Sequence, residues 1–250
     1  EIGDAAVAAQ MLEYASQWKN AFDHTGVLRD STYYEGSKYN YSFRLLHDMA
    51  SRISIAGGDT AFVNLLDTFF GYEADRVPAP GVSPCRAEMA EGELLGRFEG
   101  FNNEPDMESP YAYIYAGRHD RACEVIRAGM LQCYGDSRGG LVGNDDSGGM
   151  SSWYVWSALG LFPVAGQDVF LIGSPVFDRV EALFGPGQAF VIEAEGAGPK
   201  SLYVQSILLN GKPLQRPFLQ WMDLCSGGTL CVKMTATPTV WTQGRPPSCA

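Results

Sequence analysis

Two adjacent carboxylates, Asp145 and Asp146, sit between Gly143-Asn144 and a Ser147-Gly148-Gly149 turn, directly ahead of the apolar run Trp153 to Phe162. An apolar run of that kind reads as a buried helix, and a glycine-flanked loop at its start can aim an acid into a cleft from a fixed point. The same residues also suit a plain helix cap, in which Asp146 or Ser147 accepts backbone N–H groups. Two further loops carry acids beside glycine, asparagine or proline and border helical sequence: Tyr34-Glu35-Gly36 and Asn102-Asn103-Glu104-Pro105. Three acidic junctions between loop and helix suggest one shared cleft, because loops carry chemistry while helices hold them still. Acids without a Ser/His or Cys/His arrangement point to carboxylate chemistry. Its leading example is glycoside hydrolysis, where one carboxyl protonates the departing oxygen and the other activates water or attacks the sugar.

Asn102, Asn103 and Glu104 also offer hard oxygen donors of the type calcium prefers, although one short stretch cannot supply six to eight of them without water or substrate hydroxyls. A helix entrance with an asparagine cap and Pro105 in the first turn explains the same residues, and both readings can hold together. His24, His47 and His119 read as structural side chains; only His47, beside Asp48, lies near a candidate acid as a substrate contact.

The elements that must position these loops are bounded by composition. The chain has 250 residues, 46% of them hydrophobic, enough for a full core in one or two domains. A net charge of -11, from 18 basic and 29 acidic residues, and the lack of a Lys/Arg cluster argue against nucleic acid. No apolar stretch is long enough for a membrane span, and none has the flanks of a signal peptide. A first residue of Glu1 rather than methionine suits a mature or excised segment. Aromatic residues, 12% of the chain, could stack on sugar rings, but most fall at core spacing. The cysteines, Cys85, Cys123, Cys133, Cys225, Cys231 and Cys249, show no zinc-type spacing. Disulfides and buried thiols explain their even number equally well, with Cys225 and Cys231 a plausible local pair across a Gly-Gly turn.

Along the chain, Ala8, Met11, Leu12, Ala15, Trp18 and Phe22 recur at three- and four-residue steps and predict an amphipathic helix over 4–22, capped by Asp4. A second helix is expected over Tyr39 to Ile55, with Leu45, Leu46, Met49 and Ile53 inward, and a third over Thr60 to Phe70. Residues 72 to 100, with three prolines between Val77 and Pro84, read as a long functional loop or insertion. Helical periodicity returns in Pro110 to Tyr115 and Asp120 to Cys133, a pair broken at Gly117, and again in the helix ended by Phe162-Pro163. Antiparallel helices with acids gathered at their joining loops fit an α/α toroid. After Pro163 short β-rich runs take over: Val169 to Ile172, Arg179 to Leu183, Ala189 to Ile192, Tyr203 to Ile207 and Thr229 to Met234. Asn210-Gly211 is a hairpin signal, and Trp241 to Ala250 reads as a loose tail. The expected fold is therefore α+β: an (α/α)6-type barrel portion over 1–165, then a β-strand-rich segment over 166–250.

With these residues in place, the chain resembles the C-terminal portion of glycoside hydrolase family 92, the calcium-dependent exo-acting α-mannosidases. The resemblance rests on Tyr34-Glu35-Gly36 with Tyr41-Ser42, Asn103-Glu104-Pro105 with Pro110-Tyr111, Gly143 to Val155 with Ser157 to Gly160, and Ile172 to Phe177. Gln205-Ser206 and Leu209 to Leu214 extend it, and the matches run in order from about Leu12 to Thr229. The resemblance implies hydrolysis of terminal α-mannosides with inversion. Glu35 would be the general acid, Asp146 with help from Asp145 the general base, and Asn103 and Glu104 would help hold a calcium ion gripping the mannose O2 and O3 hydroxyls. It implies mannose-containing glycans as substrates and a secreted or periplasmic, extracytoplasmic location. Two departures stand out. Members specific for α-1,2 linkages resemble one another in a His-Glu pair where this chain has Phe101-Asn102, and some members carry an acid at the position of Asn144. Family members also have an N-terminal β-sandwich domain and the first barrel helices upstream. The alternative expectation is thus a catalytically incomplete fragment that acts as a carbohydrate-binding or remnant module and lacks that N-terminal domain.

Overall fold

Asp4 opens the first helix by accepting hydrogen bonds from Ala6 N and Val7 N, at 3.1 Å each. These are the bonds that the first turn cannot make within itself. In the computed structural model of the protein, which describes residues 3–30, 33, 37–72, 101–185 and 188–248, helix α1 spans Ala5–Ser16 and runs into a 3-10 turn, Gln17–Ala21. Its apolar face is not covered: none of its residues is buried, and Leu12 is 71% exposed beside exposed Val7, Met11 and Tyr14. The helix expected over 4–22 thus forms as an α-helix and a 3-10 turn, with its apolar side chains exposed along α1 and Phe22 buried at its end.

The expected second helix is two. Helix α2, Lys38–Ser42, stops at Phe43, and α3, Met49–Ile55, starts anew behind Asp48, whose carboxylate accepts from Ser51 N at 3.0 Å. Two contacts from outside hold the gap open. Glu108 accepts from Leu45 N at 3.0 Å, and Leu46 N reaches the Met49 sulfur at 3.3 Å. A backbone N–H engaged by a distant carboxylate cannot close an i to i−4 bond. Helix α4, Asp59–Phe70, follows and ends on the left-handed Gly71. The proline-bearing stretch expected as a functional loop lies, from residue 73 to 100, outside the described residues.

Helix α5, Glu104–Tyr115, begins with Asn103 as its cap and Pro105 in its first turn, and tolerates Pro110 inside it. Helix α6, His119–Cys133, packs along it, and α7, Gly149–Leu159, completes the layer and ends on left-handed Gly160. Their shared core is aromatic, with Phe62, Phe69, Phe70, Phe101, Tyr111, Tyr113 and Trp153 buried together.

The chain then turns to strands. β1 (Leu161–Pro163), β2 (Phe170–Ile172) and β7 (Phe218–Leu219) form a three-stranded antiparallel sheet. β3 (Arg179–Gly185), β4 (Gln188–Glu195), β5 (Tyr203–Leu209), β6 (Lys212–Leu214) and β8 (Gly228–Thr235) form a second sheet in the order β3-β4-β8-β5-β6, in which only β4 and β8 run parallel. A short helix, α8, Trp221–Cys225, precedes β8. Asn210 and Gly211, both at positive φ, join β5 to β6 as a two-residue hairpin, as expected. Alternation along β2 divides its side chains between two cores: Leu171 joins the helical cluster and Ile172 the cluster of the sheets. Small sheet and helices are therefore one packed unit around the joint. The fold is a mixture of helices and sheets, α+β.

Packing decides between the two readings left open for the described cysteines and overturns the loose C-terminal tail. Cys225 and Cys231 are free thiols, as are Cys123 and Cys133, while Cys85 and Cys249 lie outside the described residues. Cys231 sits in β8 facing Glu193 of β4 at 3.8 Å, and Cys225 ends α8 against Met222, so the strand register turns them apart. Nor is the C-terminal stretch loose as far as it is described. Trp241 donates to His119 on α6 at 3.2 Å, Arg245 pairs with both Asp59 oxygens on α4 at 2.7 and 2.6 Å, and Ser248 bonds Asp48 and Ala50 at the start of α3. It is a strap from the large sheet back across three helices.

Candidate active site

The double-carboxylate loop owes its shape to residues in unusual backbone conformations. Asp145 and Ser147 both lie at φ 53°, a left-handed geometry that short polar side chains tolerate better than most, and Gly143 and Gly148 share the positive φ. The reversals point the neighbouring acids in different directions. Asp145 turns back onto α7: its carboxylate accepts from Ser151 N at 2.7 Å and from Ser151 Oγ at 3.0 and 3.1 Å. It thereby satisfies an early amide of α7 in the manner of a cap, though from a position six residues upstream. Asp146, in the 3-10 turn Asp146–Gly148, is exposed, and among the described residues its carboxylate takes no hydrogen bond. Of the two, Asp146 is available to solvent and ligand.

The Asn-Glu-Pro element lies against this loop. Asn103 accepts from Glu104 N at 3.0 Å, which caps α5, while Glu104 is half-buried. A Cβ placed on Gly149, the first residue of α7, would stand 3.7 Å from Glu104 Oε1, and one on Gly143 would run into the backbone carbonyl of Asn102. Both glycines are therefore contact points between the two acidic stretches. Behind them Trp153 locks the helices together. Its indole N–H donates to Met107 O at 2.9 Å, and its ring stacks on Phe101, centroids 4.6 Å apart, and Tyr134 at 5.7 Å. Deeper along the same interface Tyr111 and Ser157 exchange a 2.9 Å hydroxyl bond.

Glu35 lies outside the described residues, but the chain two residues later does not. Ser37 caps α2, and Arg52 anchors the end of that short helix. The guanidinium, fully buried beside the rings of Phe22 and Phe62 at 4.3 and 5.0 Å, donates to Ser42 O and Gly26 O. Burial, with no carboxylate partner among the described residues, pushes Arg52 down to about 10, which still leaves it charged at neutral pH. Of the residues with site chemistry expected from sequence, the structure thus brings Asn103, Glu104, Asp145 and Asp146 into one region. Asn40 and Asp106, which help hold that region together, carry no site reading in the sequence, and Ser151 is there only as part of the Gly143 to Val155 match. The spacing Ser37-x-x-Asn40, a reciprocal cap, was the signal for the first of them.

Two histidines have structural surroundings. His47 is exposed, with its ring 6.0 Å from that of Trp18. His119 is buried, bonded to Ile172 O at 2.8 Å and to the Trp241 indole, and burial pushes it down to about 4. Because the indole can only donate, Nδ1 is the acceptor and Nε2 carries the proton given to Ile172. For calcium, Glu104 and the Asn103 carboxamide have the right hard-oxygen chemistry, but one lone pair of Asn103 already serves the helix cap. Among the described residues no group of three His, Cys, Asp or Glu is placed to hold a metal ion. The donor type fits; a complete shell would need ligands from elsewhere, water and sugar hydroxyls included.

Two acid-bearing loops thus meet at the ends of packed helices, and comparison with known proteins supplies the family. The glycosyl hydrolase family 92 catalytic domain matches residues 6–236, and the chain belongs to that family. It is 28% identical over 221 residues, 86% of its length, to an uncharacterized secreted glycosidase of Arthroderma benhamiae. Its fold is similar to the family GH92 α-mannosidase BT3965 of Bacteroides thetaiotaomicron solved with mannoimidazole, with a TM-score of 0.74, 28% identity and 91% of this chain covered. It is also similar to the inverting mannosidase BT2199 of the same organism, with a TM-score of 0.78, 26% identity and 95% covered. The chain spans 26% of the fungal relative and 30% and 35% of those two solved chains.

Proposed function

We propose that this chain carries the acid-bearing region of an exo-acting α-mannosidase that works with inversion on mannose-containing glycans outside the cytoplasm. The observation that carries the reading is the packing of Glu104 against the start of α7, beside an Asp146 carboxylate that no described side chain engages. Asp146 is assigned as the base that takes a proton from the attacking water. Asp145, bound to Ser151, supports it by fixing the turn. Glu35 is assigned as the acid that protonates the glycosidic oxygen. Inversion requires about 6.5 to 9.5 Å between acid and base, room for one water. Asn103 and Glu104 would help hold calcium, which when bound can chelate two neighbouring sugar hydroxyls and favour a flattened ring. In this assignment α1 to α7 are an arc of an (α/α)6 barrel, and the secreted relative supports an extracytoplasmic place of work. No helix among the described residues is long and apolar enough to cross a membrane.

The test is to follow α-mannoside hydrolysis by NMR. β-Mannose should appear first, and EDTA and Glu35→Gln should each abolish its release. Undiminished turnover in EDTA would reject the metal, and α-mannose as first product would reject inversion.

A second reading has its own observation. Apolar side chains are exposed on α1, and again as Leu131, Leu141, Tyr154 and Val155 around α6 and α7. Tyr134, Leu141, Tyr154 and Val155 also line a hollow of about 340 Å3. Surfaces of that kind mark contacts with other protein. They favour a chain that is catalytically incomplete alone and binds carbohydrate, or remains inert, without an N-terminal β-sandwich domain. Calcium-dependent sugar binding in calorimetry, with no hydrolysis after the N-terminal part of a relative is supplied, would establish that reading over the first.

A further inference from the structure

Among the described residues, helix α2 meets helix α5 through a buried polar contact between side chains 66 residues apart. Asn40, 2% exposed, donates from Nδ2 to both carboxylate oxygens of Asp106 at 3.1 Å, and Asp106 is itself 1% exposed. On its other side Asn40 Oδ1 accepts from Ser37 N and Ser37 Oγ, each at 2.8 Å. The orientation of the amide is forced. Asp106 can only accept while ionised, and the Ser37 N–H can only donate, so the Asn40 nitrogen must face α5 and its oxygen must face Ser37. Asp106 belongs to the first turn of α5, and its backbone N donates to Asn103 O at 3.2 Å. An unbroken chain of bonds therefore runs from Ser37, through Asn40 and Asp106, to Asn103. It begins two residues after Glu35 and ends beside Glu104.

We infer that Asn40 is a positioning residue: it sets where the chain leaving the Tyr34-Glu35-Gly36 stretch lies relative to the Asn103-Glu104 entrance of α5. Its catalytic consequence rests on the function proposed above; the structural coupling does not. Three replacements show what the amide supplies. Aspartate keeps the acceptor for Ser37 but sets two carboxylates against each other in a buried site. Glutamine adds a methylene to a closed contact. Alanine leaves the Asp106 carboxylate with its Asn40 donor gone. The link also has a direction: Arg52 and Glu108 anchor the far end of α2 and the chain beyond it, so losing Asn40 frees the Ser37 end first.

Native-state hydrogen exchange of the 250-residue chain, with Asn40→Asp, Asp106→Asn and the double exchange N40D/D106N, decides the matter. Asn40→Asp should speed exchange at residues 37–42 and 103–106 at least tenfold while the amides of β8 keep wild-type rates. In the double variant the amide and carboxylate trade sides, and rates should return to within about threefold of wild type. Unchanged exchange at 37–42 in Asn40→Asp would overturn the inference, as would equal loosening of β8, which would mark a general packing defect. Should Asn40→Asp not fold, Asn40→Ala is read in its place against Asn40→Ala with Asp106→Asn. Effects that simply multiply would overturn the coupling, and a double variant no looser than Asn40→Ala would uphold it. Where the wild-type chain hydrolyses α-mannosides, Asn40→Asp should lower kcat at least tenfold with KM nearly unchanged, and D106N should recover most of it. If the wild-type chain is inactive, the proposed function fails while exchange still judges Asn40.

Discussion

Asp145 and Asp146 are chemically identical neighbours, and backbone torsion alone gives them different work. The left-handed turn at Asp145 sends its carboxylate to Ser151, leaving that of Asp146 without a described partner. Their substitutions should therefore fail in different ways. Asp145→Ala removes an acceptor that satisfies an early amide of α7, and the loss of such a cap costs roughly 1 kcal/mol. Denaturant unfolding should register that cost. Asp146→Asn should leave stability within about 0.5 kcal/mol, as is usual for exposed positions outside such features, and should abolish mannoside turnover if the proposed base is right. Equal destabilisation by both would mean that Asp146 is held by contacts of its own. The sequence located this loop through its glycines. It could not divide the labour inside it, because that depends on two φ angles.

At the scale of elements, what was local was legible and what was remote was not. The caps at Asp4 and Asn103 and the hairpin at Asn210-Gly211 follow from side chains within a few residues of their targets, and all were expected. The break between α2 and α3 was invisible, because the carboxylate that holds Leu45 N comes from Glu108, 63 residues away. The C-terminal stretch was read as loose for the same reason: prolines and weak periodicity say nothing of a tryptophan that finds a histidine 122 residues upstream. The strap's strength should lie in burial rather than charge. Trp241 joins the core of the sheets, so Trp241→Ala should cost about 3 kcal/mol, in line with the removal of buried aromatic rings. Arg245→Ala breaks a pair whose side chains are about half exposed, and should cost under about 1 kcal/mol. Thermal or urea unfolding of the two variants checks the order; a larger loss from Arg245→Ala would show that the ion pair, not the ring, holds the strap.

On the scale of the whole molecule, helices, small sheet and strap converge on His119. It projects from the first residue of α6, gives its Nε2 proton to Ile172 of β2 and receives the indole of Trp241, with Cys123 3.5 Å from Nδ1. Protonating Nδ1 would put a second donor against the Trp241 N–H, and burial already disfavours the charge. Both effects keep the folded ring neutral down to about pH 4. An unfolded histidine takes its proton near 6.5, so between these values the unfolded state binds more protons and stability falls as pH drops. From pH 7.5 to pH 5 this group should contribute a loss of about 2 kcal/mol. Glu124 opposes it. That carboxylate is buried between the hydroxyls of Tyr72 and Tyr203, with Arg121 beside it, and burial raises its affinity for protons in the folded state. Such a group gains stability as the solution turns acidic, as does half-buried Asp67, so the wild-type profile alone mixes opposing contributions. The difference between wild type and His119→Gln separates them, since glutamine can still donate to Ile172 O and accept from Trp241 but does not titrate. Urea unfolding at several pH values should show the wild type losing about 2 kcal/mol more than His119→Gln between pH 7.5 and 5. Parallel profiles would mean that His119 charges in the folded protein and that the joint accommodates an imidazolium.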